Sequence, residues 1–285
     1  MNQIVDRQNQ EKYLKIQYSA RTCYNFAEIL SIFAWVLAVI NICVDMLIQD
    51  DEHIKVYLVA SCAILVFIIQ EVVSKITQYA AAFRMYFDYE MFGWTSDLYH
   101  NVSGRELCEK SELIVRLRKK DSKIRMKNNG EQKPRGVRKW YSDIEGITDG
   151  NKLINECQQQ NMWWNNKISA IQNIIFTCIL LALMVLILFK YYHVEVSALL
   201  VFLLSVVTLF INLFIEGKRN KRHKELVHKF EHHNKCINNH NDITMVDLKE
   251  LQELIDERRN VPTITLNIVH DRGATLLHKI YRSRN

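Results

Sequence analysis

Two prolines and eight glycines in 285 residues leave few places where a helix must stop, so the sequence favours long uninterrupted helices over turn-rich sheets. No CxxC pair occurs. The seven cysteines (Cys23, Cys43, Cys62, Cys108, Cys157, Cys178, Cys236) are odd in number and irregularly spaced. That excludes a disulfide framework and fits a reducing compartment for the polar parts. GxSxG, Walker-type and HExxH motifs are missing, so no enzyme is expected and no catalytic residue can be named. Charge of one sign is not in large excess. The net charge of +6 is too modest to imply a nucleic-acid polymer as partner. Nor does a cleavable leader stand out: the first 25 residues are polar and the first apolar run is too long for a signal h-region, so that run is expected to stay as a membrane span.

What the chain has in quantity is segregated hydrophobicity. Its mean hydropathy of −0.10 averages charge-free apolar runs with strongly polar stretches. Crossing about 30 Å of hydrocarbon takes about 20 helical residues, and four runs qualify: residues 26–48, 56–76, 168–189 and 194–215. Their short links, DDEHIK and KYYHVE, cannot hold a domain, so the spans pair as two hairpins. Each link carries one lysine (Lys55, Lys190). The opposite flanks carry Arg7, Lys12, Lys15, Arg21, Lys75, Arg84, Lys167 and the run Lys218 to Lys224. The Lys/Arg bias therefore places both termini and the central region of a multi-pass membrane protein in the cytoplasm. The expected fold is all-α: four transmembrane helices in two hairpins, with a mainly helical cytoplasmic domain. The expected division is an N-terminal helix over 1–25, a first hairpin over 26–76, a cytoplasmic insert over 77–167, a second hairpin over 168–216 and a cytoplasmic region over 217–285.

Within the polar mass, the residues after Thr77 continue the second span as an amphipathic helix. Arg105 to Lys127 reads as one helix with charge at nearly every third position, and KNNGEQKPRG as a loop. Residues 151–164 read as a helix leading into the third span. Thr244 with Asp247 three residues later is a capping pair before the amphipathic LKELQELIDERR. TITLNIV, after Pro262, alternates and reads as a short strand or extended segment.

Three groups of side chains could carry chemistry. Glu28, Gln70, Glu71, Asn212 and Glu216 cluster at the inner ends of the spans, with Asn41 further out. They form either an acidic vestibule favouring cations or interfacial and interhelical contacts. His228, His232, Cys236 and His240 recur at i, i+4 steps. Adjacent members could chelate a metal, but the ladder extends about 18 Å and cannot close on one ion; a solvated juxtamembrane helix explains it as well. The third group is basic. From Arg105 to Lys139 thirteen Lys/Arg stand against five Asp/Glu. Arg116, Arg118, Lys119, Lys120, Arg125, Arg135 and Lys139 could bind anionic lipid or frame a phosphate site, with Trp140 and Tyr141 as base-stacking groups or as core aromatics.

The order of short motifs resembles the SMODS-associating four-transmembrane effector family. Ala20, Arg21, Tyr24 and Ala27 match its pre-span helix. Phe87-Asp88, Phe92-Gly93 and Trp94 match its stretch after the second span. Lys139, Trp140, Tyr141 and Asp143 match its WY-plus-acid element, and Cys157-Gln158, Asn161 and Trp164 its element before the third span. Asn165 departs from the acidic residue expected there. The resemblance implies a role in bacterial anti-phage defence, at the bacterial inner membrane. A cyclic oligonucleotide made by a neighbouring synthase would bind the cytoplasmic part as activating ligand, with no cofactor, and drive a homo-oligomer to form a pore or channel in the membrane, aborting infection. A membrane scaffold recruiting a cytosolic partner, and a cation channel or transporter, are the alternatives.

Overall fold

The structure is a computed structural model that describes residues 3–47, 52–142, 144–163, 174, 177–178, 181, 185, 196–239 and 243–262. The chain is mostly helical. A short α1 (Gln3–Arg7) leads into α2 (Glu11–Leu47), and α3 (Glu52–Phe92) follows the first link. At about 1.5 Å per residue, the 37 residues of α2 and 41 of α3 reach about 55 and 60 Å. Both helices are thus longer than a bilayer's hydrocarbon core is thick. Both are long and apolar enough to cross a membrane.

Their apolar halves sort by neighbour rather than by polarity. Ala27, Ala34 and Leu37 of α2 are buried against Val66, Ile69 and Val73 of α3; the small side chains let the two backbones come close. Phe26, Ile29, Phe33, Val36, Ile64, Phe67 and Ile68 point outward. An outward apolar belt of this kind is costly in water and suits lipid.

Beyond the apolar halves the two helices enter a polar-surfaced, aromatic-rich core. Tyr13, Ile16 and Ala20 of α2 meet Phe83, Tyr86, Phe87 and Met91 of α3. Helix α3 ends at Gly93, whose φ of +73° closes an αL turn in which Trp94 N donates to Tyr89 O at 2.8 Å; a side chain there would be strained. A small antiparallel hairpin follows, β1 (Leu98–Tyr99) with β2 (Val102–Ser103). Its two-residue turn, His100 and Asn101, has positive φ at both positions, as this tight hairpin geometry requires.

Ser103 caps α4 (Gly104–Leu117), accepting from Glu106 N. The single helix expected over Arg105 to Lys127 is in fact two: α4 stops at Arg118, whose backbone (φ −115°, ψ 40°) leaves the helical region, and α5 (Lys119–Lys127) starts directly after it. A charge at every third position is compatible with either course, so composition could not reveal the break. The loop expected at KNNGEQKPRG folds back on α5. Val137 N donates to Arg125 O, and a Cβ at Gly136 would collide with the Asn128 carbonyl.

Helix α6 covers 150–163, as the sequence leads one to expect, and α7 (Val196–Asn239) runs through the fourth expected span into the polar mass. The third expected span lies largely outside the described residues, as does TITLNIV. Helix α8 (Met245–Asn260) begins with the expected capping box: Thr244 Oγ1 accepts from Asp247 N and the Asp247 carboxylate accepts from Thr244 N. Thr244→Ala removes one of these reciprocal bonds and is expected to destabilise the protein by about 1 kcal/mol. An unchanged melting temperature in detergent would show that α8 is held by its packing alone. That packing is extensive: Leu251 and Ile255 are buried with Met162 of α6 and with Val227, Phe230 and Ile237 of α7.

Candidate functional site

Two polar features stand out beyond the apolar halves of α2 and α3. The first is a basic cleft of about 570 Å³ between the base of α2 and the α4–α5 corner, lined by Arg21, Thr22, Asn25, Leu117, Arg118, Lys119, Lys120, Asp121 and Arg125. Its size suits a small organic ligand. Five cations face one carboxylate. Asp121 is already engaged: it accepts from Tyr18 Oη at 2.7 Å and from Arg125 Nε at 2.8 Å. Burial works to raise its pKa, but these hydrogen bonds outweigh it and hold the carboxyl below its ordinary value. Asp121 therefore stays ionised and orders Arg125. Arg125 is fixed further by its Nη1 donating to Arg135 O at 2.9 Å, and Arg21 Nη1 donates to Gly136 O at 3.3 Å. Among the described residues no ion pair is made by Lys119 or Lys120. Arranged guanidinium and ammonium groups of this kind suit a phosphodiester or another anion.

The second feature is a buried polar junction that shares no residue with the cleft lining. Asp88 of α3, fully buried, accepts from Tyr141 Oη at 2.6 Å, Gln252 Nε2 at 3.1 Å and Arg259 Nη1 at 2.7 Å. Asn161 of α6 donates to the same Tyr141 oxygen at 3.0 Å. Gln158 Nε2 reaches Leu248 O and Gln252 Oε1. Arg259 also touches Asp256 at 3.2 Å. Burial pushes the Asp256 carboxyl up to about 7, against the pull of Arg259. Arg84 lies 3.7 Å from the centroid of the Trp140 ring, a cation–π contact in a desolvated place. The junction thus ties α3, the 140–141 segment, α6 and α8 into one body.

The residues expected to bind a ligand therefore divide. Arg118, Lys119, Lys120 and Arg125 share the cleft. Arg116 is exposed on α4, and Arg135 is buried behind Arg125. Lys139 is exposed, 3.9 Å from Glu145. Trp140 covers Arg84, and Tyr141 is a core residue stacked on Phe87; neither lines the cleft. Among the expected vestibule residues, Gln70 and Asn212 hydrogen-bond to each other at 3.1 Å, and Arg219 bridges Gln70 Oε1 at 3.0 Å and Glu216 at 3.6 Å. These side chains join α3 to α7. Asn41 is buried, Glu28 half-buried and Glu71 exposed. In the histidine ladder His228, His232 and Cys236 are exposed, and Cys236 Sγ lies 4.0 Å from His232 Nδ1. His240 is outside the described residues, and among those described no three candidate metal ligands gather.

Sequence reasoning missed Arg21, Thr22 and Asn25 as walls of the cleft, and Arg84, Gln252 and Arg259 as parts of the junction. Arg21 and Asp88 carried a signal through the motifs they belong to, but none that named a partner. No curated protein and no solved structure matches the chain. The sequence profile of the SMODS-associating 4TM effector domain matches residues 2–274, nearly the whole length. With the apolar belt and the order of its motifs in agreement, the chain belongs to the SMODS-associating 4TM effector family.

Proposed function

We propose that this chain is the membrane-disrupting effector of a bacterial anti-phage system, switched on without catalysis by a cyclic oligonucleotide seated in the basic cleft. It crosses the inner membrane four times, with both termini and the central insert in the cytoplasm. The observation that carries the reading is the cleft's composition: one wall is the base of α2, immediately before its apolar belt, and the other is the α4–α5 corner. A phosphodiester bridging the two walls acts directly on a membrane helix.

The magnitudes are adequate. Turning a population from 1:99 to 99:1 needs about 5.5 kcal/mol of differential affinity. Two or three charge-assisted hydrogen bonds made only in the active arrangement, at about 1.5–3 kcal/mol each, supply it. Two hairpins are too thin to enclose a wide pore, so the conducting form is a homo-oligomer. The Gln70–Asn212–Arg219 chain, which holds α3 to α7, is the contact that such a rearrangement must break or carry along.

The test is leakage from liposomes containing the purified full chain, challenged with a panel of cyclic di- and trinucleotides. Leakage is expected with the cognate messenger and not without it. Saturating, demonstrably bound messenger that releases nothing would leave a receptor or scaffold in place of an effector.

A further inference from the structure

Charge is not spread evenly along α4 and α5. Over 104–112, Arg105, Lys110, Glu106, Glu109 and Glu112 neutralise one another or their neighbours: Arg105–Glu109 at 2.9 Å, Lys110–Glu106 at 2.8 Å and Glu112–Lys15 at 2.8 Å. From residue 113 onward the pattern changes. Arg116, Arg118, Lys119, Lys120, Lys123, Arg125 and Lys127 face a single acid, Asp121, which Tyr18 and Arg125 already hold. Between these cations three large apolar side chains point outward: Leu113 is 53% exposed, Leu117 75% and Ile124 48%. A merely solvated basic face has no reason to carry them. Cations interleaved with outward leucines are the composition of a surface that lies in a lipid interface.

The position of this corner agrees. Leu117 to Asp121 share a cleft with Arg21, Thr22 and Asn25, and the next residue, Phe26, begins the outward apolar belt of α2. The Leu117 end of the corner therefore sits within about one helical turn, about 5 Å, of the level where α2 enters hydrocarbon. The headgroup layer of one leaflet is about 5–8 Å deep, so that end lies inside it.

We infer that the α4–α5 corner is a docking surface for anionic phospholipid. Leu117 enters the acyl boundary, while Arg116, Lys120 and Lys123 hold headgroup phosphates. The inference rests on α2 being a membrane span. A second copy of the chain fits this surface poorly, because a two-fold contact would set the same cations against themselves. Membrane charge, by contrast, complements it and continues the lipid-facing belt. One consequence concerns the cleft. Lys119 and Lys120 stand on its lip, so headgroups and messenger share the corner, and an anionic leaflet holds it in place until a ligand with more phosphate contacts arrives.

The experiment uses the full chain in detergent, titrated separately with short-chain phosphatidylglycerol, short-chain phosphatidylcholine and inorganic phosphate, with bound lipid counted by native mass spectrometry. Phosphatidylglycerol is expected to bind preferentially. Arg116→Gln with Lys123→Gln, two positions outside the cleft lining, should weaken it about 25-fold, at about fivefold per charge. Leu117→Ser should erase the advantage of lipid over inorganic phosphate. Equal binding of the two lipids overturns the inference. So does cross-linking of two copies through residue 117 in a purely zwitterionic bilayer, which makes the corner an interface between copies. Carbonate extraction of cell membranes, run in parallel, separates these results from failure of the membrane reading itself: a protein released by carbonate removes the span, not merely the lipid preference.

Discussion

Asp88→Ala is expected to destabilise the protein by about 3–5 kcal/mol, the usual effect of removing one partner from a buried ion pair. Asp88 is fully buried and accepts three hydrogen bonds, from Tyr141, Gln252 and Arg259. Its loss strands the Arg259 guanidinium in a low-dielectric interior that already contains Arg84 and Arg258. The other acid replaces it only in part: burial is the main reason the Asp256 carboxyl is held up to about 7, and removing Asp88 relieves only the smaller, repulsive share of that rise. Measured against a typical total stability of about 5–15 kcal/mol, this one substitution removes much of the margin. A fall in melting temperature of about 10 °C is expected for the detergent-solubilised protein. Asp256→Asn is the contrasting variant. It replaces a half-protonated carboxyl with a neutral amide of similar shape and should cost much less. A double-mutant cycle between Asp88→Ala and Arg259→Ala measures the coupling directly. Were the two single effects simply additive, the junction would be a set of separate contacts and not the tie between α3 and α8 described above.

The same junction marks the limit of what the sequence discloses. Local features are legible: the long helices α2 and α3, the loop at KNNGEQKPRG, and the Thr244–Asp247 cap each depend on residues close together in the chain. The basic run is legible too, as a composition. Its use is not, because the opposite wall of the cleft is Arg21, Thr22 and Asn25, about a hundred residues earlier and inside an otherwise ordinary helix. Asp88 and Arg259 are 171 positions apart. In isolation Arg259 reads as a cation complementing the C-terminal dipole of an exposed helix, and α8 as a helix with one apolar stripe. In the fold α8 is enclosed on more than one side, so its polar positions Gln252, Asp256, Arg258 and Arg259 are buried with Leu248 and Leu251. Periodicity reports which face is apolar; it cannot report that the polar face also meets a partner. Trp140 and Tyr141 illustrate the same gap. An aromatic pair beside a basic run is compatible with nucleobase stacking or with a core, and the contacts that place them here, Arg84 for Trp140 and Asp88 for Tyr141, come from the end of α3.

The division between cleft and core yields the second large effect. Arg118→Ala with Lys120→Ala should raise the messenger concentration needed for half-maximal leakage by about 10²- to 10⁴-fold, from two charge-assisted contacts at about 1.5–3 kcal/mol each. Both side chains line the cleft and neither is part of the core, so the melting temperature without messenger should barely move. Trp140→Ala should do the reverse. It uncovers the buried Arg84 guanidinium, whose Nη1 has no hydrogen-bond partner among the described residues, and so lowers stability while leaving the messenger's affinity for folded protein intact. Crossing the two readouts, binding by calorimetry and stability by thermal melting, distinguishes a ligand site from a structural one. Messenger binding that survives loss of Arg118 and Lys120 but disappears with Trp140 would move the site away from the base of α2. The mechanical argument would then lose its hold on α2 and pass through α3, whose Arg84 and Asp88 hold Trp140 and Tyr141.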